Sequence, residues 1–415
     1  MLDSYNFDAD TIMIARCSGL KEIRAAVRIT LSQRKFLFPQ SKDALILVKP
    51  NLNNDMNALM GNSTDLRILS TVIEWVKEEG YENIVIADGS NVGVDRRNID
   101  VCNRLRIDHL AQYYGVRILN LNQDAFREVE FSNYKVKIAR TCLDADFLIS
   151  LPKIKTHTEA VLSLALKNMI GCVRGQDKRK IHRNLAGNIV HLNETLLPDI
   201  QIVDGLIAME GNGPGDGSPR RLDLLISGTN PYVVDLVCAK LVGVDWRKIR
   251  YLVVAKEKGH IADKDIKVVE RQIAVLAHLE EPPPRGILAR LSDQRSLYWL
   301  KVLMRPLTSI PSVQALAYSL NIVQDVYDIE DDEIKHVFKN EAVCDLCGQC
   351  AEYCPMGIEI EKIAETPPRS ECIHCLYCFF VCPKGALELR GKTGFLGRYI
   401  EKYAEEIRRA TRNTN

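Results

Sequence analysis

The sequence predicts an α/β fold, a mostly parallel sheet with flanking helices, followed by a small cysteine-rich module. Three observations carry this. Short, almost wholly apolar runs alternate with stretches of helical period through the first 270 residues. A triple proline at 282–284 then stops regular structure, because proline has no amide donor and a fixed φ. Finally, eight of the 13 cysteines crowd between residues 344 and 382. At 415 residues the chain is long for one domain, and the order of these features divides it as follows. The α/β unit takes 1–280, linker and docking helices 281–335, the cysteine module 336–392 and an amphipathic C-terminal helix 393–415.

Along the chain, the apolar runs fall at 11–15, 44–48, 83–87, 116–121, 147–151, 199–203 and 222–226. Strands buried on both faces read in this way, which is why a mostly parallel sheet is expected. Between them, 20–31 places Ile23, Val27 and Leu31 on one helical face, and 66–76 does the same with Leu69, Val72, Ile73 and Val76. The same period recurs in 161–170 and 233–242. Thr156 with Glu159 three residues on has the pattern of a capping box, predicting a helix that starts there. Beyond the prolines, 306–324 holds no charge, but two prolines and several polar residues exclude a membrane span. It reads as a docking or linker helix. The acidic run 325–333 reads as a solvated face or as a patch for a basic partner.

Composition excludes whole classes of function. With 46% hydrophobic and 26% charged residues the chain is ordinary globular material. A formal net charge of +1 gives no reason to expect nucleic acid or an anionic membrane as the main partner. The first residues carry neither a basic segment nor an apolar one of the kind that directs export, so a cytoplasmic location is expected. Disulfides would be out of place there, and the isolated Cys17, Cys102, Cys142, Cys172 and Cys238 read as small buried hydrophobes.

The clustered cysteines are another matter. One pattern stands twice: Cys344-x-x-Cys347-x-x-Cys350-x-x-x-Cys354-Pro355 and Cys372-x-x-Cys375-x-x-Cys378-x-x-x-Cys382-Pro383. This is the spacing of bacterial two-cluster ferredoxins. Three thiolates on a tight loop can reach three irons of one cubane, while the fourth lies beyond that reach and serves the other. On this rule Cys344, Cys347, Cys350 and Cys382 hold one [4Fe–4S] cluster, and Cys372, Cys375, Cys378 and Cys354 the second. Structural zinc would use CxxC pairs and would not call for a third cysteine at the next step. So small a module has little core of its own, so ligation would contribute much of its folding free energy.

In open α/β sheets ligands bind beyond the carboxyl ends of the strands. Lys49-Pro50-Asn51, Asp88-Gly89, Pro152-Lys153-Ile154-Lys155-Thr156-His157, Asp204-Gly205 and Ser227-Gly228 follow five of the expected strands. Their convergence would make a polar, anion-tolerant pocket. Its expected ligand groups are Lys49, Asn51, Asp88, Lys153, Lys155, Asn168 and Asp204, with Glu210 and Asn212 from the glycine-rich loop 210–217. His157 and Lys167 are the expected proton-handling or catalytic groups, a lysine among Leu162, Leu164, Leu166 and Met169 being open to a depressed pKa. The basic run 174–183 would clamp phosphate or carboxylate, dock the acidic segment, or be solvated.

Together, Val48-Lys49-Pro50-Asn51, Pro152-Lys153-x-Lys155-x-His157 with Lys167-Asn168, Asp204-Gly205, Gly211-x-Gly213-Pro214-x-x-Gly217 and Val234-Asp235 resemble the DUF362 family, a domain often found with a two-cluster ferredoxin module. The resemblance covers about residues 10–260 plus the cysteine segment. It implies an iron–sulfur protein of anaerobic or redox metabolism. A more distant similarity is to nickel-pincer lactate racemases, which carry a His and then a cofactor-bearing Lys. His157 and Lys167 stand in that order, whereas the glycine-rich surroundings of that lysine are here Leu164-Ala165-Leu166. The expected function is an iron–sulfur oxidoreductase component with a small anionic substrate and a redox partner protein. The alternatives are a non-catalytic electron carrier that docks a partner enzyme, and an isomerase or lyase with structural clusters.

Overall fold

A computed structural model describes residues 2–7, 10–282, 329–365 and 368–412. The segment 306–324 and the start of the acidic run lie outside the described residues. Ten strands form one mixed sheet. In chain order its long members are β1 (Leu2–Phe7), β2 (Asp10–Arg16), β3 (Ile46–Pro50), β4 (Ile84–Asp88) and β5 (Arg117–Asn120). A separate hairpin, β6 (Phe126–Phe131) and β7 (Tyr134–Ala139), follows. Then come β8 (Phe147–Leu151), β9 (Lys153–His157), β10 (Val161–Ser163), β11 (Ile200–Glu210) and β12 (Ser218–Gly228).

All seven apolar runs are strands, and the order across the sheet is β1-β2-β12-β11-β8-β3-β4-β5. From β11 to β5 neighbouring strands are parallel. β12, β2 and β1 close the other side antiparallel, so the parallel core expected from the sequence carries an antiparallel margin that makes the whole sheet mixed. Every residue of β3, β4 and β8 is buried, in keeping with helices on both faces. The helix Leu66–Glu78 begins at an Asp65 side chain that accepts the Arg67 amide, and it buries Leu69, Val72, Ile73 and Val76 as its period requires.

One local expectation fails. Residues 153–157 are strand β9 and turn back through β10, and no helix starts at Thr156. The Thr156 hydroxyl instead bonds the carbonyl of Gly211, and the helix begins only at Ala165. A capping-box pattern is a local signal, and cross-strand pairing outweighs it here.

The cysteine-rich segment opens on β13 (Glu333–Lys339) and closes on β14 (Leu387–Lys392), which pair antiparallel. Each cysteine run turns into a short helix, Gln349–Glu352 and Tyr377–Val381. The runs share a backbone device. Leu346 and Gly348 in the first, and His374 and Leu376 in the second, take positive φ on either side of the middle cysteine. Such alternation turns successive amides toward one side of the loop.

The module does not hang free. Tyr353, Ile373, Leu376, Tyr377, Phe380 and Val381 join one continuous core with Ile23 and Val27 of the helix Leu20–Gln33 and with Leu69 and Val72. The Tyr377 hydroxyl accepts the Leu66 amide at 3.2 Å, the Tyr399 hydroxyl that of Asn57 at 3.2 Å, and Arg67 lies 4.3 Å over the Tyr353 ring. Three of the four described acids of 325–333 are engaged internally: Asp331 with Arg104, Glu330 with Lys392, and Asp332 with the amides of Gly394 and Leu396. The basic run 174–183 makes none of these contacts. The helix Phe395–Thr411 packs Leu396, Ala404 and Ile407 into the structure.

Candidate functional site

A cavity of about 300 Å³ lies at the carboxyl ends of β3, β4 and β9. Asn51 follows β3, Asp88 ends β4 with Gly89 next to it, and Lys155 and His157 come from β9. Lys167, Asn168 and Gly171 line it from the turn after β10, and Lys178 and His182 from the basic run. Pro214 and Gly215 of the glycine-rich loop complete the wall.

The expected pocket residues divide into two groups. Asn51, Asp88, Lys155, His157, Lys167 and Asn168 line the cavity. Lys153, Asp204, Glu210 and Asn212 do not. Lys153 and Asp204 form a fully buried ion pair at 2.8 Å, and the same carboxylate accepts the amides of Asp65 and Leu206. Glu210 accepts the amide of Glu280, and the Asn212 carbonyl accepts the amide of Asp216. Lys49 lies behind the wall, its ammonium 2.7 Å from Asp88. Asp88 is thereby used up, its other oxygen accepting the Leu52 amide at 2.6 Å. Gly171 permits this packing, since a Cβ there would stand 2.0 Å from the Asp88 carboxylate and 2.7 Å from the Lys49 ammonium.

Several lining residues were not singled out from the sequence: Asn53, Asn54, Asn91, Ser163, Gly171 and His182. Lys178 was noticed only as one charge in a run. Its ammonium bonds Asn122 and the Val173 carbonyl, whereas Arg174 and Arg183 stack over Phe126 and Tyr134 outside. Charge patterning alone does not say which member of such a run turns inward.

Three lysines bring positive charge to the cavity. Lys155 donates to Asn51 and to the Asn62 carbonyl, both at 2.8 Å. Burial, with Lys167 beside it, holds its pKa well below the ordinary lysine value. Burial likewise brings Lys167 and Lys178 down to about 8. His157 accepts the amides of Glu159 and Ala160 at Nδ1, which assigns its proton to Nε2. Asn168 is locked by Asn51 and Ser150.

The turn bearing Lys167 and Asn168 is fixed from below by Asp235, which accepts the amides of Ala165 and Leu166 at 2.7 and 3.1 Å. Burial pushes this carboxyl up from 3.8 to about 8 against those two bonds. The folded state therefore keeps a proton that the unfolded chain releases. The stability present below about pH 4 is lost as pH rises toward about 8. Asp235→Asn, which keeps an accepting oxygen without the charge, is expected to show a flatter urea midpoint over that range. Parallel pH curves for the two proteins would contradict this.

Two further cavities lie in the cysteine module. One is lined by Cys344, Cys347, Cys350 and Cys382, the other by Cys354, Cys372, Cys375 and Cys378. Amides point at the thiols in a repeated pattern: Gln349 at Cys347 and Tyr377 at Cys375, Ala351 at Cys350 and Phe379 at Cys378. Cys354 receives three, from Met356, Gly357 and Ile358, and Cys382 that of Ala386 at 3.2 Å. Among the described residues no three His, Cys, Asp or Glu side chains close around a single-ion site.

The second cysteine set adjoins the strand-end cavity through one loop. Cys375 and Tyr377 share a small void with Ser63, Thr64 and Leu66. The Thr64 hydroxyl in turn accepts the Asn51 amide at 2.7 Å, and Asn51 lines the strand-end cavity. Residues 51–66 are thus the partition between the two.

This region has known counterparts. Residues 46–240 match the family model for a domain of unknown function, DUF362. The DUF362 match takes in β3 to the helix Pro231–Leu241, hence the described wall of the strand-end cavity and Asp235, and stops well short of the cysteine module. A relative, the thylakoid-associated protein sll1697 of Synechocystis sp., is 28% identical over 212 residues. That match covers 48% of this chain and 63% of the relative, so it spans less than two thirds of that protein's length. A crystal structure of a Thermotoga maritima protein is 12% identical with a TM-score of 0.30, covering 57% of this chain and 59% of that one.

Proposed function

We propose that this chain is an iron–sulfur redox protein whose cysteine module holds two [4Fe–4S] clusters and whose DUF362 region binds an anionic substrate or cofactor. The observation that carries the reading is the crossed arrangement of the cysteines. Each cavity is lined by three thiols of one run and the last thiol of the other. The amides aimed at these sulfurs suit thiolates bearing the negative charge of a cluster. Cubanes held there would accept and release single electrons.

In the DUF362 region, Lys155, Lys167 and Lys178 would hold the anionic group, with Asn51 and Asn168 fixing its orientation. His157 presents a proton at Nε2, and Lys167, down to about 8, holds one that can be given up near neutral pH. Residues 51–66 stand between the two sites. The shared core and the tyrosine bonds hold the module in one place, which supports an internal donor to the cavity more than a carrier that leaves it.

The carrier reading is favoured by one observation. Cys347 is exposed and borders a broad cleft with Lys21, Arg220, Arg409 and Arg412, where a redox partner protein would have access. Among the described residues no helix is long and apolar enough to cross a membrane, and the cytoplasmic placement expected from the sequence belongs to this proposal.

Anaerobic purification with iron and sulfide analysis, and EPR of the dithionite-reduced protein, tests the reading. About eight irons and eight sulfides per chain, with two interacting cubane signals, are expected. A colourless, iron-free chain would end it.

A further inference from the structure

Five lysines cluster at the strand ends, and the fold treats them in two ways. Lys49 and Lys153 are each paired with a buried carboxylate, Asp88 at 2.7 Å and Asp204 at 2.8 Å. Lys155, Lys167 and Lys178 are not: among the described residues no carboxylate stands within ion-pair distance of any of the three. Lys155 is 2% exposed and Lys178 5% exposed, and both are held only by neutral oxygens. A buried charge normally has a partner, because its desolvation is otherwise uncompensated. All three line the same cavity of about 300 Å³.

Nearby acids do not meet the need. Both oxygens of Asp88 are taken, by Lys49 and by the Leu52 amide. Glu159 lies toward Lys167 but is bonded to His182 at 2.8 Å, and Asp95, on the Lys178 side, takes the Gln176 amide group. The other charged neighbours of Lys155 are Lys49, Lys153 and Lys167, which add to the deficit. Around the same space stand polar donors of small reach, Asn51, Asn91, Asn168 and Ser163, and the backbones of Gly89 and Gly171.

We infer that the cavity is built for a compact anion carrying at least two negative charges, a phosphoryl group or a short dicarboxylate, which supplies the counter-charge that Lys155, Lys167 and Lys178 lack inside the fold. This rests on the anion-binding half of the proposed function and narrows it to one class of ligand. Once all three lysines are protonated, a monoanion would offset only one of their positive charges. Binding of a dianion favours the ammonium form of each lysine, so it draws protons from solvent where those groups are partly neutral. At pH 8, where Lys167 and Lys178 are each about half-charged, these two take up about one proton per site, and protonation of Lys155 adds to it.

The experiment is calorimetric titration of the full, cluster-loaded chain at pH 8 in buffers of different ionisation enthalpy. Sulfate is the tetrahedral dianion, malonate the dicarboxylate and formate the monoanion, all at constant ionic strength. Sulfate does not titrate in this range, so protons taken up belong to the protein. The expected result is one site for sulfate or malonate, with about one proton or more taken up and formate at least tenfold weaker. The tighter of the two dianions identifies the phosphoryl or the dicarboxylate class. Lys155→Met and Lys178→Met are each expected to weaken it about 10- to 100-fold with iron content and unfolding midpoint unchanged.

Formate binding as tightly as the dianions, without proton uptake, would overturn the inference and leave a simple anion site. Absence of all binding in a chain with its full iron would overturn it together with the anion-binding half of the proposed function. Weak sulfate binding that neither lysine variant alters would also overturn it, since the ion would then lie elsewhere.

Discussion

Cys354→Ala and Cys378→Ala are expected to lose the same cluster, although the two residues belong to different runs. Each variant should retain about four irons, and the double variant no fewer. Cys382→Ala should instead lose the cluster that Cys347→Ala loses. The reason is spatial: Cys354 lines the cavity of Cys372, Cys375 and Cys378, while Cys382 lines that of Cys344, Cys347 and Cys350. The first pair should also loosen the module from the α/β domain. Its cavity lies beside Tyr377, whose hydroxyl accepts the Leu66 amide, and Pro355 beside Cys354 accepts from Ser70. Ligation contributes folding free energy, so the variants should become sensitive to protease in 336–392. Iron analysis and EPR, variant by variant, provide the check. A Cys354→Ala protein whose surviving signal matches that of Cys378→Ala supports the crossed arrangement. One that matches Cys347→Ala instead would show each run holding its own cluster, and the assignment would fall.

Lys153→Met is expected to destabilise the chain by about 3–5 kcal/mol, because Asp204 would be left charged at a site with no exposure to water. That carboxylate also holds the amide of Asp65 at the entry to the helix Leu66–Glu78. The double variant Lys153→Met, Asp204→Asn keeps an accepting oxygen and removes the orphaned charge, so it should recover most of the loss. Sulfate affinity should follow neither change, in contrast with Lys155→Met. Urea unfolding together with sulfate titration separates the outcomes. A Lys153→Met protein of undiminished stability that no longer binds sulfate would place Lys153 in the anion site after all.

The contrast between these two lysines shows where sequence reading stops. Lys153 and Lys155 are two apart on one strand, and alternation puts them on the same face. They nonetheless do different work. The pairing of β9 with β11 is irregular between Asp204 and Met209, so Lys153 stands opposite Asp204 while Lys155 passes to the cavity. No periodicity in the sequence encodes that slip. The capping-box pattern at Thr156 misled for a related reason, since a partner strand competed for the same backbone groups. Lys178 and His182 reach the cavity through short turns whose direction depends on Asp177, Asn122 and the β7 edge.

The sequence by itself determined the seven core strands, the polar groups that gather where β3, β4 and β9 end, and the eight thiols with their spacing, whereas Asp204-Gly205 lie inside β11 and Ser227-Gly228 at the opposite end of the sheet. Each of these follows from local chemistry: apolar runs must be buried, and loop residues must follow strand ends. Tertiary structure alone decided that the sheet is mixed. It alone decided that two of five clustered lysines find buried carboxylates and three face one cavity. It also docked the cysteine module against the domain through Tyr353, Tyr377 and Tyr399. Those outcomes depend on which distant side chains meet, and contacts between residues hundreds of positions apart leave no period or spacing in the chain.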